Sequence, residues 1–231
     1  MRNVMVIFKK QIKDTFKNKT ILIQFLMFPM MTIFMENAIH ITDMPEHFFA
    51  KLFSIMYIGM APLTSVAAII SEEKEKNTLR PLMMANVKPA EYLVGIGSYV
   101  WLICMLCASV IAVSAGFTGT EFAFYMAVMA VGFIVSILAG SAVGVYADNQ
   151  MKSTSLVIPV MMILSFLPMF AMFNETIERI ARFTYTQQLS RILGDFNLDS
   201  VSNTDFVIIG INVAVFALLF NLVYHKKGLE N

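Results

Sequence analysis

The sequence predicts an all-α polytopic membrane protein that crosses the bilayer six times, and three observations predict it. Of its 231 residues 58% are hydrophobic and 14% charged, with a mean hydropathy of +0.70; a soluble globular chain is nearer half apolar and a quarter charged. The apolar residues gather into six runs, each long enough to cross a bilayer core as helix, for which about 20 residues are needed. Lys and Arg are dense in alternate connections between these runs, the pattern of a chain whose basic connections stay in the cytoplasm.

Residues 1–19 come first and read as an amphipathic helix lying in the membrane interface. Val4, Met5, Phe8, Ile12 and Phe16 share one face at helical spacing, and Lys9, Lys10, Lys13 and Lys17 share the adjoining one. Such a helix buries its apolar face at the headgroup boundary, and each Lys contributes roughly 1 kcal/mol against anionic lipid. The first apolar run begins only behind this segment, with no small-residue cleavage site after it. No cleavable signal peptide is therefore expected.

The spans are predicted over 20–39, 52–70, 92–116, 122–147, 155–173 and 206–224. On one side of the membrane the connections carry Arg2, Lys9, Lys10, Lys13, Lys17, Lys19, Lys74, Lys76, Arg80, Lys88, Lys152, Lys226 and Lys227. The other side has Lys51, Arg179, Arg182 and Arg191. The basic side is expected to be cytoplasmic, with both termini there. Segment 174–205 is too polar to span. Its Ile177, Ile180, Ala181, Leu189, Ile192 and Leu193 suggest short external helices in the outer interface, followed by turn residues from Asp195 to Asp205.

The cytoplasmic connection 71–91 is far longer than two antiparallel helices require. Ser71 is suited to cap a helix with Glu72 and Glu73 in its first turn, where the helix dipole favours anions. Glu72 and Lys76 form an i,i+4 pair in the favourable order. Asn77 suits the left-handed position that ends a helix. Leu79, Leu82, Met83 and Met84 then form an apolar cluster rimmed by charge, the composition of a docking surface.

Within this connection Glu73-Lys74-Glu75-Lys76-Asn77-Thr78-Leu79 resembles the acidic–basic–acidic, then Gly-Thr-Leu, signature of the ABC-2 type permeases, the membrane subunits of ABC exporters. Phe8-Lys9-Lys10-Gln11 through Lys17-Asn18-Lys19, with Pro29 in the first span, is similar to that family's basic connecting helix and first span. Val87 through Gly95 is similar to its approach to the third span. Two positions depart from the pattern: Asn77 stands where Gly is usual, and Asn86 where Pro is usual, with Pro89 following. The resemblance implies one transmembrane domain over 1–231 in a bacterial cytoplasmic membrane, with 71–91 holding a coupling helix that seats on an ATPase. It implies Glu72, Glu73, Glu75, Thr78, Leu79 and Leu82 at that contact. It also implies a second permease subunit, identical or related, and export of a hydrophobic or amphipathic cargo such as a peptide, drug or lipid-like molecule.

No cofactor is expected in this chain. None of its 11 glycines begins a Gly-Lys-Ser/Thr phosphate loop, so ATP and Mg are expected on the partner ATPase. Enzymatic chemistry finds no other support: Glu72-Glu73 lacks the Arg one helical turn on that an intramembrane Glu-Glu-x-x-x-Arg protease needs, since the Arg is Arg80. Cys104 and Cys107 lie mid-span without the polar partners that reactive thiols require. His40, Asp43, Glu46 and His47 match no usual metal spacing. Nucleic-acid binding is excluded by the absence of a basic patch interleaved with aromatics outside the spans. Glu36, Asn37 and Lys51 sit near the outer ends of the first two spans, where they can snorkel. The lack of mid-membrane charge argues against an ion pathway. An immunity or sensor scaffold without net transport is the alternative reading, and an ion-conducting channel a lesser one. Gly132, Ser136, Gly140 and Gly144 recur every four residues, as do Ala108, Ala112 and Gly116. Both stripes suit close helix packing, either inside one subunit or at a dimer seam.

Overall fold

Regular structure is entirely helical among the described residues, which in this computed structural model are 2–17, 19–39, 45–84, 87–196 and 201–227. The side chains of Arg2, Phe16, Lys17, Lys19, Thr20, Arg80, Met83, Asp195 and Lys227 are outside the description, as are His40, Asp43 and Asn86 altogether. In chain order the helices are α1 (Arg2–Lys17), α2 (Lys19–Ala38), α3 (Phe48–Glu75), α4 (Leu79–Met84), α5 (Pro89–Ser114), α6 (Gly119–Tyr146), α7 (Gln150–Ala171), α8 (Glu175–Ala181), α9 (Tyr185–Asp195) and α10 (Asn203–Lys227). Among the described residues six are long and apolar enough to cross a membrane: α2, α3, α5, α6, α7 and α10. The protein is a multi-pass membrane protein.

The second span, α3, is the axis of the bundle. It packs against α2, α5, α6, α7 and α9, and its residues are buried almost throughout. The close packing comes from small side chains. A Cβ on Gly140 would stand 2.4 Å from the Leu63 carbonyl oxygen, and one on Gly144 3.0 Å from Ile70 Cβ. Gly132 meets Ile58 in the same way. Ser136, in the same stripe, donates to the Ile58 carbonyl at 2.5 Å. The stripe thus faces α3 of its own chain. On the other flank of α3, Gly59 lies against the Leu164 backbone and the Ser165 hydroxyl of α7. In lipid, where burial of apolar surface drives little, this backbone-to-backbone approach and its hydrogen bonds carry the association.

At the end of the bundle away from α4 the charges expected to snorkel are instead tied inward. Glu36 accepts from the Ala50 N–H at 3.2 Å and so caps α3 from α2. Lys51 donates to the Gly194 carbonyl at 3.0 Å, near the end of α9, and lies 4.8 Å from the centre of the Phe196 ring. Each uses an unsatisfied helix-terminal group as its partner. Asn37 returns to the Ile33 carbonyl one turn back.

Segment 174–205 holds the expected short helices, but α9 does not rest on the outer surface. Tyr185, Gln188, Leu189, Ile192 and Leu193 are buried, and α9 packs between α3, α6, α7 and α10. The Tyr185 hydroxyl reaches Ser136 at 2.7 Å. Since the Ser136 proton goes to Ile58, Tyr185 is the donor. Asn174 and Thr184 accept from the first turns of α8 and α9 and fix the two starts. Arg191 to Asp205, 3.3 Å apart, closes α9 onto α10.

Candidate functional site

The site is assembled at the opposite end, where α1, the end of α3, α4 and the start of α5 meet. α1 has three faces. Ile7, Gln11 and Thr15 are buried against the bundle, Met5 and Ile12 are exposed and apolar, and Lys9 and Lys13 are exposed and basic. Ile7 fits over Gly95 of α5 (a Cβ there would be 2.9 Å from Ile7). Phe8 meets Tyr99 edge-on at 5.8 Å. Asn3 donates to Glu91 at 2.9 Å, and the Lys88 N–H donates to the same carboxylate oxygen at 3.1 Å, so one acid caps α5 and holds α1. The face with Gln11 and Thr15, which an apolar-stripe reading passes over, is the one turned to the protein. The Gln11 amide is tolerated there because α3 supplies a carboxylate.

That carboxylate is Glu73. It is 7% exposed and accepts from Lys10 at 2.7 Å and Gln11 at 2.8 Å, both on Oε1. The Tyr92 hydroxyl of α5 lies beside it. Glu73 Oε2 and the Tyr92 hydroxyl have no hydrogen-bond partner among the described residues. The neighbouring charges are engaged as well. Lys74 donates to the Val145 carbonyl at 2.8 Å, in the last turn of α6, where the helix dipole favours a cation. Glu75 accepts from the Gln150 N–H at 2.8 Å at the start of α7, where it favours an anion. Lys76 pairs with Glu72 one turn back, and that carboxylate holds the Lys76 ammonium above its ordinary range. Four consecutive charges, Glu73 to Lys76, thus have partners in α1, α6, α7 and α3 itself.

The chain then turns sharply. Asn77 adopts φ 53°; its N–H donates to the Lys74 carbonyl at 3.0 Å and that of Thr78 to the Glu73 carbonyl at 2.9 Å. This is the paired closure of a Schellman motif, with Asn in the usual place of Gly. α4 follows at once. Leu79 is buried and anchors it, Leu82 is half-buried, and Pro81 and Met84 are exposed. A polar cleft of about 650 Å³ lies beside the turn, lined by Lys10, Asp14, Glu72, Glu73, Lys76 and Thr78 among others.

Two expectations are revised. Ser71 does not start a helix: α3 runs through it to Glu75, and Ser71 donates back to Ala68. A continuous helix outweighs a local cap because every backbone group there already has its i−4 partner. The residues expected together at one outward contact divide into two sets. Glu73 and Leu79 point inward, whereas Glu75 and Thr78 are exposed, with Glu72 and Leu82 between. Of the interfacial residues, Lys10 turns to Glu73; the side chains of Phe16 and Lys17 are outside the description. Cys104 and Cys107 are both buried and free. Gln11, Asn3 and Gln150 were not anticipated. Gln11 left a trace in the sequence, as a polar residue one turn from Ile7 on a face otherwise available for packing.

Residues 46–224 match the family of ABC-2 family transporter proteins. The chain belongs to the ABC-2 transporter family. The match covers α3 to α10 nearly whole and includes the turn and α4. None of the curated proteins compared with the chain matches it. The ABC-2 protein is a membrane permease subunit of a transporter, and its family implies a separate ATPase partner.

Proposed function

We propose that this permease exports a hydrophobic or amphipathic molecule, a peptide, drug or lipid-like compound, across a bacterial cytoplasmic membrane with both termini inside. In this reading a partner ATPase, which binds the ATP and Mg, docks on α4, and a second permease subunit completes the path. The observation that carries the reading is α4 itself: a short helix held at the basic end of the bundle by buried Leu79 and presenting Pro81, Leu82 and Met84. Thr78 and the exposed edge of Glu75 flank it. Glu73 acts on this contact as a positioning residue, through α1 and the turn. Four bonded charges make the turn a rigid lever, so motion of α4 would pass to α3 and, through Gln150, to α7. The absence of mid-span charge in the sequence supports an apolar cargo.

Leu82→Asp and Met84→Asp place a charge on the presented face without touching the ties of Glu73 to Lys76. Each is expected to abolish co-purification of an ATP-hydrolysing polypeptide from native membranes and to leave the permease folded. Retention of both the ATPase and transport in both variants would sink the assignment. ATPase binding without cargo-stimulated hydrolysis would point to an immunity or sensor scaffold, and ATP-independent ion flux in liposomes to a channel.

A further inference from the structure

Two spans carry a proline inside the helix at places that meet: Pro62 in α3 and Pro168 in α7. Proline has no N–H, so the carbonyl four residues back loses its helical partner and the helix gains a place to bend. For Pro62 that carbonyl belongs to Ile58, and the Ser136 hydroxyl of α6 donates to it at 2.5 Å. Ser136 also lies 3.0 Å from the Gly132 carbonyl of its own helix and accepts from Tyr185 at 2.7 Å. For Pro168 the carbonyl belongs to Leu164. It lies against Gly59, the residue after Ile58, where a Cβ would stand 2.9 Å from the Leu164 oxygen. Neighbouring helices and hydroxyls make a proline tolerable in a membrane helix, and here both gaps fall in one layer.

The ties on the two sides of this layer differ. Toward α4, Ser153 of α7 donates to the Ala67 carbonyl at 3.3 Å and the Gln150 N–H to Glu75 at 2.8 Å. Gly140 and Gly144 of α6 lock this arm of α3 backbone against backbone. Away from α4, Ser165 of α7 donates to the Met56 carbonyl at 3.3 Å. There α6 meets α3 through hydroxyls, Ser136 on Ile58 and Tyr125 beside Ser54 at 2.6 Å, and through side chains such as Ile58 against Gly132. Glu36 of α2 and Gly194 of α9 are bound to the first turn of this arm. Each arm of α3 is thus tied to the matching arm of α7, and the arm toward α4 is the one interlocked with α6. We infer that α3 and α7 share one hinge, at Ile58–Pro62 and Leu164–Pro168, and that Ser136 is its latch. When Ser136 turns from the Ile58 carbonyl to that of Gly132, its hydroxyl stays bonded and the arms away from α4 swing together against α6. The device depends on neither cargo nor ATPase, so it stands apart from the export reading.

The permease is reconstituted alone in lipid nanodiscs and followed by pulsed EPR between pairs of spin labels. One pair, at Glu46 and Glu121, spans the ends of α3 and α6 away from α4, and the other, at Lys76 and Tyr146, spans the ends toward it. All four residues are exposed, and the native Cys104 and Cys107 are buried. Phe48 lies about 15 Å along α3 from Ile58, so a change of about 20° in the bend moves that end by about 5 Å. The Glu46–Glu121 pair is expected to show a minor second distance displaced by about that amount. Ser136→Ala with Tyr185→Phe removes the latch without leaving the Tyr185 hydroxyl unpaired, and should raise the minor population about fivefold, the worth of one hydrogen bond. Adding Pro62→Ala returns an N–H to the Ile58 carbonyl and should bring the population back, which a Ser136 that only supports packing would not allow. Ser136→Ala alone serves if the pair folds poorly. The Lys76–Tyr146 distance should stay constant throughout. A Glu46–Glu121 distribution indifferent to these substitutions, an equal change at both pairs, or a change that Pro62→Ala does not reverse would each overturn the inference.

Discussion

Glu73 has more depending on it than any other side chain of the signature. Its carboxylate holds α1 to α3 through Lys10 and Gln11, and its backbone carbonyl closes the Asn77 turn. Lys10 is about a third exposed, 35% for the side chain, so the pair is a partly screened one, with a coupling on the order of 1 kcal/mol. Lys10→Met and Glu73→Gln should each lower the thermal midpoint of the detergent-solubilised permease, and the double variant should lose less than the sum of the two. Strict additivity would show that the two side chains are not coupled. The sequence exposed the charge pattern and the aptitude of Asn77 for the left-handed position. It did not show that Glu73 faces inward, because alternating charges read equally well as a solvated face and as a set of interhelical ties. Only the positions of α1, α6 and α7 distinguish the two.

At the scale of elements, the contact of α6 with α3 is set by the stripe Gly132, Ser136, Gly140 and Gly144. Gly140 is the tightest point, since an added Cβ would meet backbone that cannot move aside. Gly140→Ala should destabilise the permease by roughly 1–3 kcal/mol through overpacking. Gly210→Ala in α10, where nothing lies within 4 Å, should be neutral or gain up to about 1 kcal/mol from helix propensity. Thermal midpoints of both variants in one detergent check the contrast, and equal midpoints would remove the steric argument. The period of four in this stripe was legible in the sequence. Its direction was not: small residues permit a close approach without specifying whose backbone approaches. The same limit applies to α9. Its Leu and Ile spacing announced a helix, but its depth follows from the Tyr185–Ser136 bond, which joins residues 49 apart in sequence.

For the whole molecule, the basic connections collect at the α4 end, with α1 and the end of α10. If that end is cytoplasmic, a cysteine at Lys226 or Asn77 should react with a membrane-impermeant maleimide only after the cells are opened. A cysteine at Glu175 should react in intact cells. The native Cys104 and Cys107 are buried and free, so the background should be low. Labelling at Lys226 in intact cells would reverse the orientation. The span count and the approximate extent of each long helix were legible in the sequence, and the orientation is what the sequence predicts. Each depends on local composition against a bilayer of known thickness, so a window of about 20 residues carries the signal. The tertiary structure alone decided that α3 is the axis, that Glu73 and Lys74 bind inward while α4 is presented, and that α5, α6 and α10 leave an apolar groove on one flank. These depend on which helix faces which, and in lipid that choice turns on small residues and single hydrogen bonds between segments far apart in the chain, to which hydropathy is blind.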